Sequence, residues 1–168
     1  MPDAPRLSVI MPVYNEAAAI VGAVDEVKRH VLSLIPASEL VVVDDGSRDA
    51  TGRLLDEAAR SDARIKVIHQ PNGGHGAALL TGLKAAQGEY VFLIDSDRQI
   101  PLDNFHAAWA EMRAGRDAVF GVRRRRYDPV LRLYLSRLIK HSVNVLFRVQ
   151  LSDANAPYKL FRRGIFQE

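Results

Sequence analysis

A chain of 168 residues, 48% of them hydrophobic, is long enough for one globular domain with a core between packed layers and too apolar for a disordered tract. The absence of cysteine excludes disulfides, thiolate metal sites and cysteine nucleophiles, so any metal would be held by oxygen or histidine. With a net charge of +3, no apolar run near the roughly 20 residues that span a bilayer and no signal-peptide pattern, the chain reads as soluble and cytosolic.

Leu7 to Val13 predicts a short apolar strand bounded by Pro5 and the Tyr14-Asn15-Glu16 turn, followed by a helix from Ala17 to about Leu34. Leu40 to Val43 predicts a second strand before the turn Asp44-Asp45-Gly46-Ser47. A helix from about Asp49 to Arg60 follows, capped by Asp49 or Ser47. Ile65 to His69 is the third strand, and beyond Pro71-Asn72-Gly73-Gly74 a helix runs from about Gly76 to Ala86, with Gly88 as its stop signal. A fourth strand begins at Tyr90 and ends in Asp95-Ser96-Asp97. Pro101 to Ala114 is a further helix ended by Gly115, Ala118 to Val122 a strand, Pro129 to Val149 a long basic amphipathic helix, and Tyr158 to Phe161 a last strand. Uninterrupted β-branched runs alternating with helices imply an α/β protein, a mostly parallel sheet covered on both faces in three layers. In such a sheet the turns at Tyr14, Asp44 and Asp95 open on one edge, where ligands bind.

Asp95-Ser96-Asp97-Arg98-Gln99 is the most informative stretch. In extended chain alternate residues share a face, so Asp95, Asp97 and Gln99 aim three hard oxygens at one point. That set suits Mg²⁺ or Mn²⁺, and an ion with open positions would hold a diphosphate; taken alone, Asp-x-Asp is more often a turn. An Asp of the Asp44-Asp45 turn could accept from a nucleotide base or serve only local backbone donors. Asn72-Gly73-Gly74-His75-Gly76 lacks the Walker ending and fails Gly-x-Gly-x-x-Gly at Leu79, which disfavours a dinucleotide oxidoreductase, and His75 reads as a solvated turn residue.

Charge is divided unevenly: residues 1–120 carry 12 Lys and Arg against 17 Asp and Glu, and residues 121–168 carry 11 against 3. A basic module on an acidic body seeks phosphate, nucleic acid or a membrane surface. Of the run Arg123 to Arg126, Arg123 lies closest to a strand end and is the one placed to neutralise a leaving group. Arg132 and Ser136, four apart on a helix, share a face and could grip one phosphate.

The chain resembles family 2 glycosyltransferases of the GT-A fold, in the polyprenyl-phosphate (dolichyl-phosphate) mannosyl- or glucosyltransferase branch. The resemblance rests on Ser8 to Glu16, Val43 to Ser47, the Asn72 to Gly82 loop and helix, Asp95 to Gln99, and Asp153 to Arg163. It implies that Pro12, Tyr14, Glu16 and Asp45 hold the base and ribose of a GDP- or UDP-sugar. Asp95, Asp97 and Gln99 would bind Mg²⁺ or Mn²⁺, with Ser96 beside the ribose or phosphate. Arg123 would contact the donor, and Arg132 and Ser136 the acceptor's phosphate, with Asp97 and Arg123 as catalytic residues. Residues 1–122 would then be the nucleotide-sugar core, and residues 123–168 a basic acceptor- and membrane-facing segment of the same domain.

Where family members that glycosylate hydroxyls carry an acidic base, this chain has arginines, which favours an acceptor that is already anionic. Asn155-Ala156-Pro157-Tyr158 replaces the Ser-Gly-Phe type sequence of the dolichol enzymes. The chain stops where relatives continue into interfacial or transmembrane helices, as a catalytic fragment would. The activity expected is inverting hexose transfer to a polyprenyl phosphate at the cytoplasmic face of a membrane, with no nucleic-acid partner and with homo-oligomers allowed. Two rivals are transfer to a sugar or polysaccharide hydroxyl, with Asp128 or Asp153 as base, and a non-catalytic nucleic-acid or phospholipid-binding module carried by the arginines.

Overall fold

Leu7–Val13 forms β1 with all seven residues buried, as a strand covered on both faces must be. The computed structural model describes residues 6–98, 101–121 and 158–166; all of these but Phe120 and Gly121 belong to one unit. Strand β2 is Ser38–Asp44, β3 Ile65–His69, β4 Tyr90–Ile94, β5 Ala118–Phe120 and β6 Tyr158–Arg162. Their order across the sheet is β3-β2-β1-β4-β6-β5. β1, β2, β3 and β4 run parallel, with Val9 opposite both Leu40 and Phe92. β6 departs from this direction: it pairs antiparallel with β4, Phe92 opposite Leu160.

Period-two alternation sorts the side chains of β1 onto two faces. Leu7, Val9, Met11 and Val13 join one cluster with Leu40, Val42 and Phe92, under helix α1 (Ile20–Val27), α2 (Thr51–Ser61) and α4 (Phe105–Arg113). Phe92 meets Phe105 at 4.9 Å between ring centroids, and Tyr90 meets Trp109 edge-on at 5.2 Å. Burial of each such ring is worth about 1.5–3 kcal/mol, so this face holds most of the core. On the other face Ile10 and Val91 pack with Leu79 and Leu83 of α3 (His75–Ala85), and Val41 and Val43 with Ala78. Three layers result, as the hydrophobic pattern predicts.

Helix bounds differ from the sequence reading in places with local causes. Ala17 to Ala19 form a turn closed by the Ala19 and Ile20 N–H groups on the Glu16 carbonyl, so α1 starts at Ile20, and it passes into a π turn over Lys28–Leu32. Of the two expected caps, Asp49 serves α2, its Oδ1 accepting the Thr51 N–H at 3.0 Å, whereas Ser47 Oγ accepts the Asn15 N–H instead. Gly88 is no helix stop. Helix α3 ends at Ala85, and at Gly88 a Cβ would stand 2.5 Å from the Ser8 nitrogen and 2.7 Å from the Leu7 carbonyl carbon. Backbone cannot yield as a side chain can, so Gly88→Ala is expected to destabilise by about 2–3 kcal/mol in urea unfolding. The long helix expected over 129–149 lies outside the described residues.

Candidate active site at the carboxyl edge of the sheet

The carboxyl ends of β1, β2 and β4 open on one cavity of about 450 Å³, within the range of small-molecule sites. Pro12, Val13, Tyr14 and Glu16 line it from β1, Asp45 from β2, and Asp95, Ser96 and Asp97 from β4. Asn72, Gly74, His75 and Ala78 supply a further wall from the glycine loop and the start of α3. Seven of the sequence-predicted site residues, Pro12, Tyr14, Glu16, Asp45, Asp95, Ser96 and Asp97, therefore meet in one place. Gln99, Arg123, Arg132 and Ser136 lie outside the described residues, as do Asp128 and Asp153.

The loop after β1 is held from behind by the start of α2. Asn15 takes φ 53°, a left-handed conformation that asparagine tolerates better than most residues. Its N–H donates to Ser47 Oγ at 2.9 Å, and its Oδ1 accepts the Arg48 N–H at 2.7 Å. Glu16 N–H donates to Thr51 Oγ1 at 2.9 Å and Ala17 N–H to Asp49 Oδ2 at 3.1 Å. Four contacts across more than thirty positions of sequence fix the turn that carries Glu16 and Tyr14, the latter 44% exposed in the cavity lining.

Asp45 has a task that local sequence does not announce. Its Oδ1 accepts from Gln70 Nε2 at 2.7 Å and Gly73 N–H at 2.9 Å, and its Oδ2 accepts from Gly74 N–H at 2.8 Å. Asn72 Nδ2 adds a bond to the Asp45 carbonyl at 2.9 Å. Burial works to raise this carboxyl's pKa, but the Gly73, Gln70 and Gly74 donors outweigh it and bring it below the ordinary range. Gly46 makes the approach possible: it takes φ 75°, and a Cβ there would lie 2.8 Å from the Asn72 nitrogen.

Asp44, next to it, faces the opposite way. Its Oδ1 accepts the Ser47 N–H at 3.0 Å, the local role expected of such a turn, and its Oδ2 lies 2.9 Å from His69 Nδ1. His69 Nε2 in turn lies 3.1 Å from Asp56 Oδ1. Asp44 first and Asp56 second raise the imidazole above its ordinary 6.5, against the opposing effect of burial. A raised pKa adds stability that is fully present below about 6.5 and is lost as pH climbs through the raised value. His69→Gln should therefore cost more stability at pH 6 than at pH 9 in paired urea titrations.

The acidic corner departs from a single extended run. β4 ends at Ile94, the chain bends through Ser96 and Asp97, and Arg98 takes φ 56°. Extended backbone thus ends ahead of the bend at Ser96. Asp95 and Asp97 are exposed toward the cavity they share, and Ser96 between them is 7% exposed. Among the described residues no three His, Asp or Glu side chains form a metal cage. Two carboxylates on one wall are nevertheless the donor set by which Mg²⁺ or Mn²⁺ is held when phosphate and water complete the shell, so the residues present fit an ion that binds together with a diphosphate.

Known proteins share both sequence and architecture with this chain. The undecaprenyl-phosphate 4-deoxy-4-formamido-L-arabinose transferase of Pseudomonas fluorescens is 35% identical over 95% of this chain and 47% of its own length. The chain thus spans about half the length of the curated relatives it matches. Among solved structures, the mannosyltransferase PcManGT of Pyrobaculum calidifontis, in complex with GDP-Man and Mn²⁺, superposes with a TM-score of 0.69 at 25% identity, covering 99% of this chain and 47% of that one. TarS 1–349 of S. aureus, in complex with UDP-GlcNAc, gives 0.68 at 28% identity over 96% and 46%. The fold is the GT-A fold that the sequence motifs imply. The Glycosyl transferase family 2 model matches residues 8–168, which takes in every strand and helix described above except Leu7 of β1, and all three turns of the cavity, and the chain belongs to that family.

Proposed function

We propose that the chain transfers a sugar from a nucleoside diphosphate, GDP or UDP, to a polyprenyl phosphate, with inversion at the anomeric carbon. The observation that supports this most is the cavity itself, where three polar turns from separate strands bring two carboxylates opposite a ring-bearing turn and a glycine loop. Tyr14, Pro12 and Glu16 would receive base and ribose, with Asp45 holding the glycine loop against them. Asp95 and Asp97 would hold Mg²⁺ or Mn²⁺, which when bound lowers the cost of charge on the departing diphosphate. Ser96 would lie beside the ribose or phosphate.

An oxygen of the acceptor phosphate attacks the anomeric carbon in line, a new C–O bond forms, and the sugar–diphosphate C–O bond breaks with its electron pair leaving on the nucleotide. A phosphate monoester is anionic at neutral pH, so no residue need remove a proton from it; orientation and charge placement suffice. Arg123 is proposed to contact the donor, and Arg132 with Ser136 the acceptor's phosphate. The basic segment 123–168 would bring the domain to the cytoplasmic face of an anionic membrane. Among the described residues no helix is long and apolar enough to cross one.

The names of relatives support the acceptor more than the sugar. Those relatives are named for undecaprenyl phosphate and for a formamido-arabinose, so the proposal extends from a hexose to other sugars. The test is a radiolabel assay with GDP- and UDP-sugars and short polyprenyl phosphates. Label extracted with the lipid supports the proposal, and label found only on a hydroxyl acceptor overturns it.

A further inference from the structure

We infer that Arg98 is a positioning residue, whose side chain, seated against Gly22 and Glu26 of α1, holds the backbone bend that presents Asp95 and Asp97 to the cavity. The inference rests on the reading of those carboxylates given under Proposed function. Arg98 directly follows Asp97 and takes φ 56°, a conformation that costs an arginine free energy and persists only where its surroundings impose it. What imposes it is visible. The guanidinium lies against Gly22, where a Cβ would come within 2.6 Å of Nη1 and 3.0 Å of Cζ. Nε stands 3.4 Å from Glu26 Oε2, one helical turn further along the same face of α1.

The direction of the side chain decides between two roles for this cation. An arginine beside a diphosphate site is usually assigned to the phosphate. Here Asp95, Ser96 and Asp97 line the cavity and Arg98 does not, because its side chain runs back to α1. At 3.4 Å with Arg98 half exposed, the ion pair to Glu26 is a weak tether. Most of the hold is therefore packing of the guanidinium in the space that Gly22 leaves, with the aliphatic stem bridging from strand end to helix.

This assigns opposite effects to one substitution. Gly22→Ala should leave the melting temperature unchanged or raise it, since alanine is the better helix former and the group it displaces is the far end of a flexible side chain. The same methyl should expel Arg98 and loosen the acidic corner. The readout is calorimetric binding of GDP and UDP to the full chain, with and without Mn²⁺. Gly22→Ala and Arg98→Ala are expected to cut Mn²⁺-dependent affinity about tenfold, the scale of one residue's left-handed backbone penalty, with metal-free binding moved less than twofold. Arg98→Gly should lose less than Arg98→Ala, because glycine adopts positive φ without help, and Glu26→Gln should lose least.

Wild-type Mn²⁺ dependence in both Gly22→Ala and Arg98→Ala overturns the inference alone. Equal losses in Arg98→Gly and Arg98→Ala overturn it too, and make the guanidinium a ligand. A wild type with no Mn²⁺-dependent binding of either nucleotide overturns the underlying site reading and this inference together.

Discussion

Asp97→Ala is expected to leave the chain folded and to cut sugar transfer by about 10²–10³-fold, the range found when one preorganised charge is removed from a reacting centre. The carboxylate lies beyond the last residue of β4, exposed in the cavity, so its loss opens no core void. Its partner Asp95 and the diphosphate's own oxygens remain as ligands, but with one protein carboxylate gone the ion is held more weakly and is less firmly placed. Turnover should therefore fall with the melting temperature within a few degrees of wild type. Raising Mn²⁺ should recover part of the rate, since affinity for the ion is what has been weakened. A variant within a few-fold of wild type at limiting metal would remove Asp97 from the chemistry.

Asp45→Ala should act differently, on stability and on nucleotide affinity at once. The carboxylate is 3% exposed and accepts from Gln70, Gly73 and Gly74, so its removal leaves donors of the glycine loop without an acceptor. Loss of charge-assisted bonds at a buried site costs about 2–4 kcal/mol, and the cavity wall that Gly74 and His75 form would loosen with it. The pH dependence has a definite sign. Because the folded pKa is lowered from 3.8, the contribution is present above that value and is lost as pH falls through the lowered one. Wild type and variant should therefore differ fully at pH 7 and converge in strong acid, as urea midpoints across pH 2–7 would show. Asp45→Asn, which turns an amide toward glycine N–H groups, should recover only part of the loss.

Strands with uninterrupted apolar runs are readable because burial on both faces demands such a run and little else permits it. Leu7–Val13, buried throughout, keeps its expected bounds; Ile65–His69 keeps them too, although only Ile65 of its five residues is buried. β6 is readable as a strand, but its place is not: that Tyr158–Arg162 pairs antiparallel with β4 is a non-local choice, with no trace in the residues of either strand alone. The same division runs through the site. Asp95 and Asp97 stand out because a carboxylate pair ends an apolar strand, and the cavity gathers them with the Tyr14 turn. Asp45 also stands out, yet its three donors lie 25 to 29 positions away, so the sequence suggests a base contact and conceals the loop clamp. Ser47, Asp49 and Thr51 read as a helix start, which Asp49 and Thr51 do form, and all three also brace the turn after β1. His75 reads as a solvated turn residue, and the glycine turn before it carries it into the cavity lining. Arg98 follows the acidic pair without marking itself in the sequence, and only its φ and its contact with Gly22 reveal a purpose.

On this reading one cavity takes a nucleoside diphosphate together with a divalent ion. Calorimetric titration of the chain with GDP and with UDP, each with and without Mn²⁺, tests it most directly. At least one nucleotide should bind about tenfold or more tightly when Mn²⁺ is present, and Asp97→Ala should remove that enhancement while leaving metal-free binding in place. Binding of neither nucleotide strengthened by Mn²⁺ would contradict it.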